Sequence, residues 1–252
     1  MRFDILTLFP GMISTPLQES ILGKAIQKGL IEIRAINIRD FSQDKHHTVD
    51  DTPYGGGQGM VMKVDPIALA IESIKSQSPS ARTVYMTPQG KPFDQQTARA
   101  LSSEPHLILL CGRYEGVDER VKELFVDEEI SIGDYILTGG ELAAMVVIDA
   151  VARVLPGVLG SERSAEEDSF SNSLLEHPQY TRPHDFRGSR VPDVLLSGNH
   201  SAISLWRRRE ALKRTWMRRP DLLAKAGLSE EDRELLKEIS QEIGTGQSGH
   251  EA

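Results

Sequence analysis

One cysteine in 252 residues excludes an internal disulfide and any metal site built from cysteines alone. That residue, Cys111, ends an apolar run, which fits a small buried side chain in a reducing cytoplasm. No apolar run approaches the roughly 18 residues a membrane helix needs. The N-terminus, Met1-Arg2-Phe3-Asp4-Ile5, reads as a first strand, and no cleavable signal is visible. There is no excess of positive charge either. The net charge of −8 argues against nucleic-acid binding over the whole surface. The deficit is local, however. Residues 206 to 220 carry seven bases, Arg207, Arg208, Arg209, Lys213, Arg214, Arg218 and Arg219, against Glu210 alone. Such a stripe in an acidic chain points to a nucleic-acid backbone, or else to a solvated helix face. His46-His47 lacks a matching set of ligands at metal spacing, so no metal site is expected there.

What is present in quantity is glycine, in particular places. Ser131-Ile132-Gly133-Asp134-Tyr135-Ile136-Leu137-Thr138-Gly139-Gly140-Glu141 breaks an apolar run and leads into a helical pattern. Two similar loops precede it, Thr87-Pro88-Gln89-Gly90-Lys91-Pro92 and Gly112 to Arg120. They follow the strand-like runs Thr83–Met86 and Leu107–Cys111. None is Gly-x-Gly-x-x-Gly, and none carries the Lys-Ser/Thr of a phosphate loop. Glycine lets backbone N–H and C=O groups approach a ligand closely. Three such loops in succession point to one pocket at one edge of a sheet, where open α/β folds bind ligands. Three ordinary strand-to-helix turns are the alternative.

Strand patterns at 2–9, 31–37, 83–87 and 106–111 alternate with helical ones. Pro16 opens a helix carrying Leu17, Ile21, Ala25 and Lys28, and Gly29 closes it. Asp65-Pro66 caps a second, a short one follows Asp94, and another lies near 118–124. After Gly140 comes the strongest pattern: Leu142, Met145, Val146, Asp149, Ala150, Val154. The alternation predicts an α/β fold with a mainly parallel sheet and helices on both faces. From Pro156-Gly157 the residues become small and polar, which reads as a mobile linker. Beyond it Ile203–Met217 and Ser229–Ile243 are helical, with Leu205, Leu212 and Trp216 on one face and Arg207, Arg214 and Arg218 on another. The expected divisions are 1–160 for the α/β domain, 161–175 for a flexible linker, 176–246 for a small helical domain and 247–252 for a disordered tail.

Asp50-Asp51-Thr52-Pro53-Tyr54-Gly55-Gly56-Gly57-Gln58-Gly59-Met60 sets paired carboxylates in a glycine-rich loop, which suits substrate contact or backbone shaping better than a metal. Arg113-Tyr114-Glu115 follows a strand end. A cation, an aromatic plane and a carboxylate together suit a purine, though a surface turn with a local ion pair fits as well. Arg153 stands near the end of the long helix, where the dipole favours a cation. Asp168, read alone, is one acid among three in the linker.

Pro53 to Met60, Cys111 to Arg120 and Ser131 to Glu141 resemble the bacterial tRNA (guanine-N1)-methyltransferases. So do Leu155-Pro156-Gly157-Val158-Leu159-Gly160, Glu176 to Pro183 and Gly198-Asn199-His200, in the family's order, over residues 1 to about 243. The resemblance implies a trefoil-knotted domain of the SPOUT superfamily, S-adenosyl-L-methionine as methyl donor, a homodimer, and N1 of the guanosine at position 37 of tRNA, next to the anticodon, as target. Knots are rare among folds, so that expectation rests on the resemblance. Mg2+ is a further candidate cofactor. The resemblance puts Met86, Pro88, Gly112, Tyr114 and Glu115 on the cofactor. With them come Ile132, Gly133, Asp134, Tyr135, Ile136, Leu137, Gly139 and Gly140. It puts Arg113, Glu115, Asp50 and Gly59 on the substrate, and Asp168 and Arg153 at the general base and its partner. Arg207, Arg208 and Arg214 would then hold the tRNA backbone.

The residue types suit that chemistry. Guanine N1 bears a proton and is a poor nucleophile until a base removes it, help worth about 10²–10⁴-fold. A guanidinium can stabilise charge developing toward O6. A base on a mobile linker would gate transfer. A ribose 2′-O-methyltransferase of the same superfamily is the first alternative; Glu115 and Asp168 argue against it, because a ribose offers no amidine edge. A non-catalytic RNA-binding protein is the second, and the cofactor loops argue against that.

Overall fold

The computed structural model describes residues 1–160, 169–170 and 173–247. One compact unit falls within Met1–Glu162 and another within Arg163–Ala252.

The first unit is built on five parallel strands. In chain order its elements are β1 (Arg2–Thr7), α1 (Gly11–Ser14), α2 (Ser20–Gln27), β2 (Glu32–Asn37), the short pair β3 (Asp50–Asp51) and β4 (Val61–Met62), and α3 (Val64–Gln77). There follow β5 (Arg82–Pro92), α4 (Gln95–Ser102), β6 (His106–Cys111), α5 (Glu119–Phe125), β7 (Glu128–Ser131) and α6 (Glu141–Val154). The sheet order is β2-β1-β6-β5-β7. All four pairings are parallel, as strands alternating with helices require. The fully buried β6 alternates sides: Leu107, Leu109 and Cys111 pack under α2, α4 and α6, while Ile108 and Leu110 pack under α3 and α5. Helices therefore cover both faces, as the pattern predicts.

Local chemistry sets the ends of these elements. Asp94 caps α4 by accepting from the Thr97 amide at 2.8 Å, and Asp118 caps α5 by accepting from Arg120. Three expectations change. The pattern from Pro16 is two pieces, a single 3-10 turn at Pro16–Gln18 and then α2, which starts again at Ser20 with φ 55°. Helix α3 begins at Val64, with Lys63 at the N-cap position and no side-chain capping bond, so Asp65 and Pro66 lie inside its first turn. And β5 does not end at Met86: Ile130 of β7 pairs with both Met86 and Lys91, so Thr87–Gly90 bulges from within one strand.

Helix α6 holds the largest correction. Its buried residues are Glu141, Ala143, Ala144, Val147, Ile148, Val151 and Ala152. Leu142 and Val146, from the predicted stripe, are 48% and 47% exposed. The helix is apolar on two sides. Ala143, Ala144, Val147, Ile148, Val151 and Ala152 pack into the core against the sheet.

The second unit contains the hairpin β8 (Asp185–Phe186) and β9 (Ser189–Arg190), then α7 (His200–Arg218), α8 (Pro220–Leu223) and α9 (Glu230–Gln247). Leu174, Leu212 and Ile239 form its small core, with Leu223, Leu235 and Leu236 against them. Of the three apolar residues predicted for the buried face of α7, only Leu212 is buried; Leu205 is 58% exposed and Trp216 36%. Ser229 and Asp232 cap α9 reciprocally, each accepting from the other's amide, at 2.9 and 3.1 Å. No described helix is long and apolar enough to cross a membrane.

Candidate active site

The loops that follow β6 and β7, together with the bulge in β5, meet at the C-terminal edge of the sheet. They enclose a cavity of about 550 Å³, within the range of small-molecule sites. Hydrogen bonds fix the loops to each other. The Gly140 amide donates to the Gly112 carbonyl at 3.0 Å, and Arg113 pairs with Gly139 in a one-residue antiparallel bridge. The glycine-rich segment joins through its C-terminal end: the Glu115 amide donates to Met60 and the Met62 amide to Gly116, both at 2.9 Å.

Of the thirteen residues expected on the cofactor, twelve line this cavity, and Asp134 does not. Asp134 sits exposed on the loop between Gly133 and Tyr135. Gly112, Gly116, Gly133, Gly139 and Gly140 are on its wall. A Cβ at Gly112 would lie 2.8 Å from the Tyr85 hydroxyl, so glycine is what leaves that phenol room at the wall. Burial pushes the Tyr85 phenol above its ordinary value, which keeps it a proton donor. Burial also pushes the Cys111 thiol well up, so it is no nucleophile.

The substrate-side residues divide. Arg113 and Glu115 line the cavity. Gly59 packs on Glu115: a Cβ there would overlap the glutamate's carboxyl group. Asp50 pairs with Met62 across β3 and β4 and does not line the cavity. Arg153 stands half-buried in the last turn of α6, also away from the lining. Asp168 lies outside the described residues. In the second unit Arg207 is exposed and Arg214 half-buried. Arg208 is committed to Asp232 by two bonds of 2.7 Å. Arg209 is likewise tied to Glu242. The basic stripe is thus less free than seven charges in sequence imply.

Sequence reasoning missed the wall residue Lys122, which is held 3.0 Å from Glu119. It also missed Glu141, a fully buried carboxylate at the start of α6. Its signal was weak: an acid straight after Gly139-Gly140 reads as an ordinary first-turn residue favoured by the helix dipole.

A family model described as tRNA (guanine-1)-methyltransferase TrmD matches residues 1–225. The chain belongs to the tRNA (guanine-1)-methyltransferase family. Three curated relatives share its length, and each is named tRNA (guanine-N(1)-)-methyltransferase. That of Geotalea uraniireducens is 61% identical, with 97% of this chain and 99% of the relative covered. That of Syntrophotalea carbinolica is 56% identical over 98% of this chain and all of the relative. That of Geobacillus kaustophilus is 57% identical over 96% of this chain and 99% of the relative. Membership does not favour a ribose 2′-O-methyltransferase or a non-catalytic RNA-binding protein.

Proposed function

We propose that the chain transfers a methyl group from S-adenosyl-L-methionine to N1 of the guanosine at position 37 of tRNA, in the cytoplasm. The observation that carries this reading is the cavity among the glycine-bearing loops at the strand ends, with Arg113 and Glu115 on its wall, in a chain of this family. The cradle fits an adenosine-sized group: Gly112 and Gly140 are at its wall, and amides and carbonyls of 132–140 can bond the edges of a base. When bound, the donor supplies the methyl group as an electrophile. The chain's own residues do the rest. Glu115 accepts N–H protons from the guanine edge, and Arg113 donates toward O6. Asp168 takes the N1 proton as general base, with Arg153 as its partner residue. The resemblance of the flanking motifs supports these last two roles. Extracting guanine from its stack costs a few kcal/mol, which contacts to its edge recover.

Three finer statements belong to the same reading. Arg207 and Arg214 hold tRNA phosphates. The segment 132–140, bonded to the 112–116 loop, is the part of the chain that a trefoil crossing would involve. The chain works as a homodimer, and the support is the second apolar side of α6, where Leu142 and Val146 are half-exposed. Mg2+ has no such support among the described residues.

The test is mass spectrometry of tRNA nucleosides after incubation with protein and S-adenosylmethionine. The expected product is 1-methylguanosine, absent when position 37 is adenosine. Asp168→Asn, which keeps size and loses basicity, should nearly abolish transfer and leave donor affinity unchanged. A 2′-O-methylated product would overturn the reading, and an active Asp168→Asn would overturn the base.

A further inference from the structure

Glu141 is a carboxylate with no exposure, held by two other elements. Thr7, the last residue of β1, donates its hydroxyl to Oε1 at 2.7 Å. The same oxygen accepts from Nε of Arg113 at 3.2 Å. Oε2 lies 3.0 Å from NH2 of Arg113, as an ion pair. The direction is wrong for a hydrogen bond, and Oε2 has no hydrogen-bond partner among the described residues. A buried carboxylate is tolerated only beside a cation, and Arg113 is the one paired with it here.

The rest of the arginine is held as firmly. NH1 donates to the Thr138 carbonyl at 3.2 Å and NH2 to Sδ of Met12 at 3.0 Å. The guanidinium carbon stands 4.5 Å over the centre of the Phe9 ring. A guanidinium has five N–H donors in a rigid fork. Two of the five are used by none of these bonds: one on NH1, and one on NH2, which stands beside Oε2 as an ion pair. Arg113 lines the cavity, yet its side chain is only 14% exposed.

We propose that Glu141, backed by Thr7, is a positioning residue for methyl transfer: it fixes the Arg113 fork so that the unused N–H of NH1 is left for the substrate. This rests on the reading of Arg113 as a guanine contact. The N–H then stands ready where O6 gains charge as N1 loses its proton, and no side chain has to be reorganised during the step. Glu141 also follows Gly140, whose amide holds the Gly112 carbonyl. Settling of the cofactor loop therefore passes directly to the substrate arginine.

The test compares Thr7→Val, Thr7→Ser, Glu141→Gln and Arg113→Lys, and each of the first and third combined with Arg113→Lys. Single-turnover transfer is measured with saturating S-adenosylmethionine and tRNA, donor affinity by calorimetry, and folding by thermal melting. Thr7→Val and Glu141→Gln should slow transfer by roughly ten- to a hundred-fold, the weight of a bond to a charged group. Donor affinity should stay near wild type, and Thr7→Ser, which keeps the hydroxyl, should restore the rate. On the Arg113→Lys background neither substitution should slow transfer further, because the fork it supports is gone. A purely structural role would lower melting temperature and donor affinity on either background. Transfer at the wild-type rate in Arg113→Lys would overturn the guanine reading, and this proposal with it. A slow Arg113→Lys together with fast Thr7→Val and Glu141→Gln, or effects that multiply, would overturn the proposal alone. If Glu141→Gln does not fold, Thr7→Val decides.

Discussion

Gly140 stands where the sheet, the 132–140 loop and α6 converge, and the structure states what a single methyl group there would meet. A Cβ on Gly140 would lie 2.7 Å from the Cα of Cys111, 3.1 Å from the Cβ of Met86 and 3.2 Å from the Cβ of Cys111. Ordinary carbon contacts are about 3.5–4.0 Å, so a gap approaching 1 Å must open. The obstacle is backbone at the end of β6, which is paired to Met86 of β5 and cannot yield cheaply. Overpacking of this kind costs about 1–3 kcal/mol. The 3.0 Å bond from the Gly140 amide to Gly112 is drawn apart as well, at about 1 kcal/mol. Gly140→Ala should thus lose about 2–4 kcal/mol, a fall of roughly 4–16 °C in melting temperature for a unit of this size. Affinity for S-adenosylmethionine should fall at least about ten-fold, because both loops that shift line the cavity. The sequence places the added carbon against the ligand; the structure places it against Cys111, so stability suffers even without cofactor. The assay is thermal and urea unfolding with and without S-adenosylmethionine, with calorimetry for affinity. Gly227→Ala is the control, since nothing lies within 4 Å of its Cβ, and it should stay within about 0.5 kcal/mol. A Gly140→Ala protein that melts with the wild type would refute the packing argument.

Replacing Arg207 and Arg214 together should weaken tRNA binding and flatten its dependence on salt, with donor affinity untouched; an unchanged slope would make the stripe a solvated face. Asp232→Asn should destabilise the second unit by about 1–2 kcal/mol at neutral pH, discounted for the partial exposure of Arg208. The bonds from Arg208 hold that carboxyl at about 2, down from 3.8. Its contribution is therefore complete above pH 4 and is lost as pH falls toward 2; acid unfolding that is identical in the variant would exclude it. Leu142→Asp with Val146→Asp should turn the proposed dimer into a folded monomer by sedimentation, since both side chains are half-exposed in the single chain. A variant that stays dimeric would place the interface elsewhere.

The sequence made the frame of the first unit legible because its strands are short apolar runs ended by loop residues. His106–Cys111 was found to the residue, and Asp94 announced α4 with its side-chain cap. The cavity was legible for a related reason: glycines after strand ends record where backbone must come close to something. What periodicity cannot record is a reversal inside one pattern. Gly23 leaves room for the Gln18 carbonyl against α2, so a stretch that reads as one helix is two. Nor can it choose between two apolar faces. On α6 the large residues Leu142 and Val146 make the stronger stripe, yet the sheet takes Ala143, Ala144, Val147 and Val151. Ile148 is buried there too, so residue size does not separate the two faces; which one meets the sheet is set by how the helix packs. The unclaimed stripe is the surface that the proposed dimer would cover. Glu141 was illegible in the opposite sense: nothing in a run of letters says that an acid at a helix start is sealed from water. Only the placement of Thr7 and Arg113, brought from 134 and 28 residues away, turns it from a solvated first-turn charge into a buried brace. Motifs propose which residues act on substrate, whereas a side chain that braces one of them, such as Glu141 on Arg113, becomes visible only when the chain is folded.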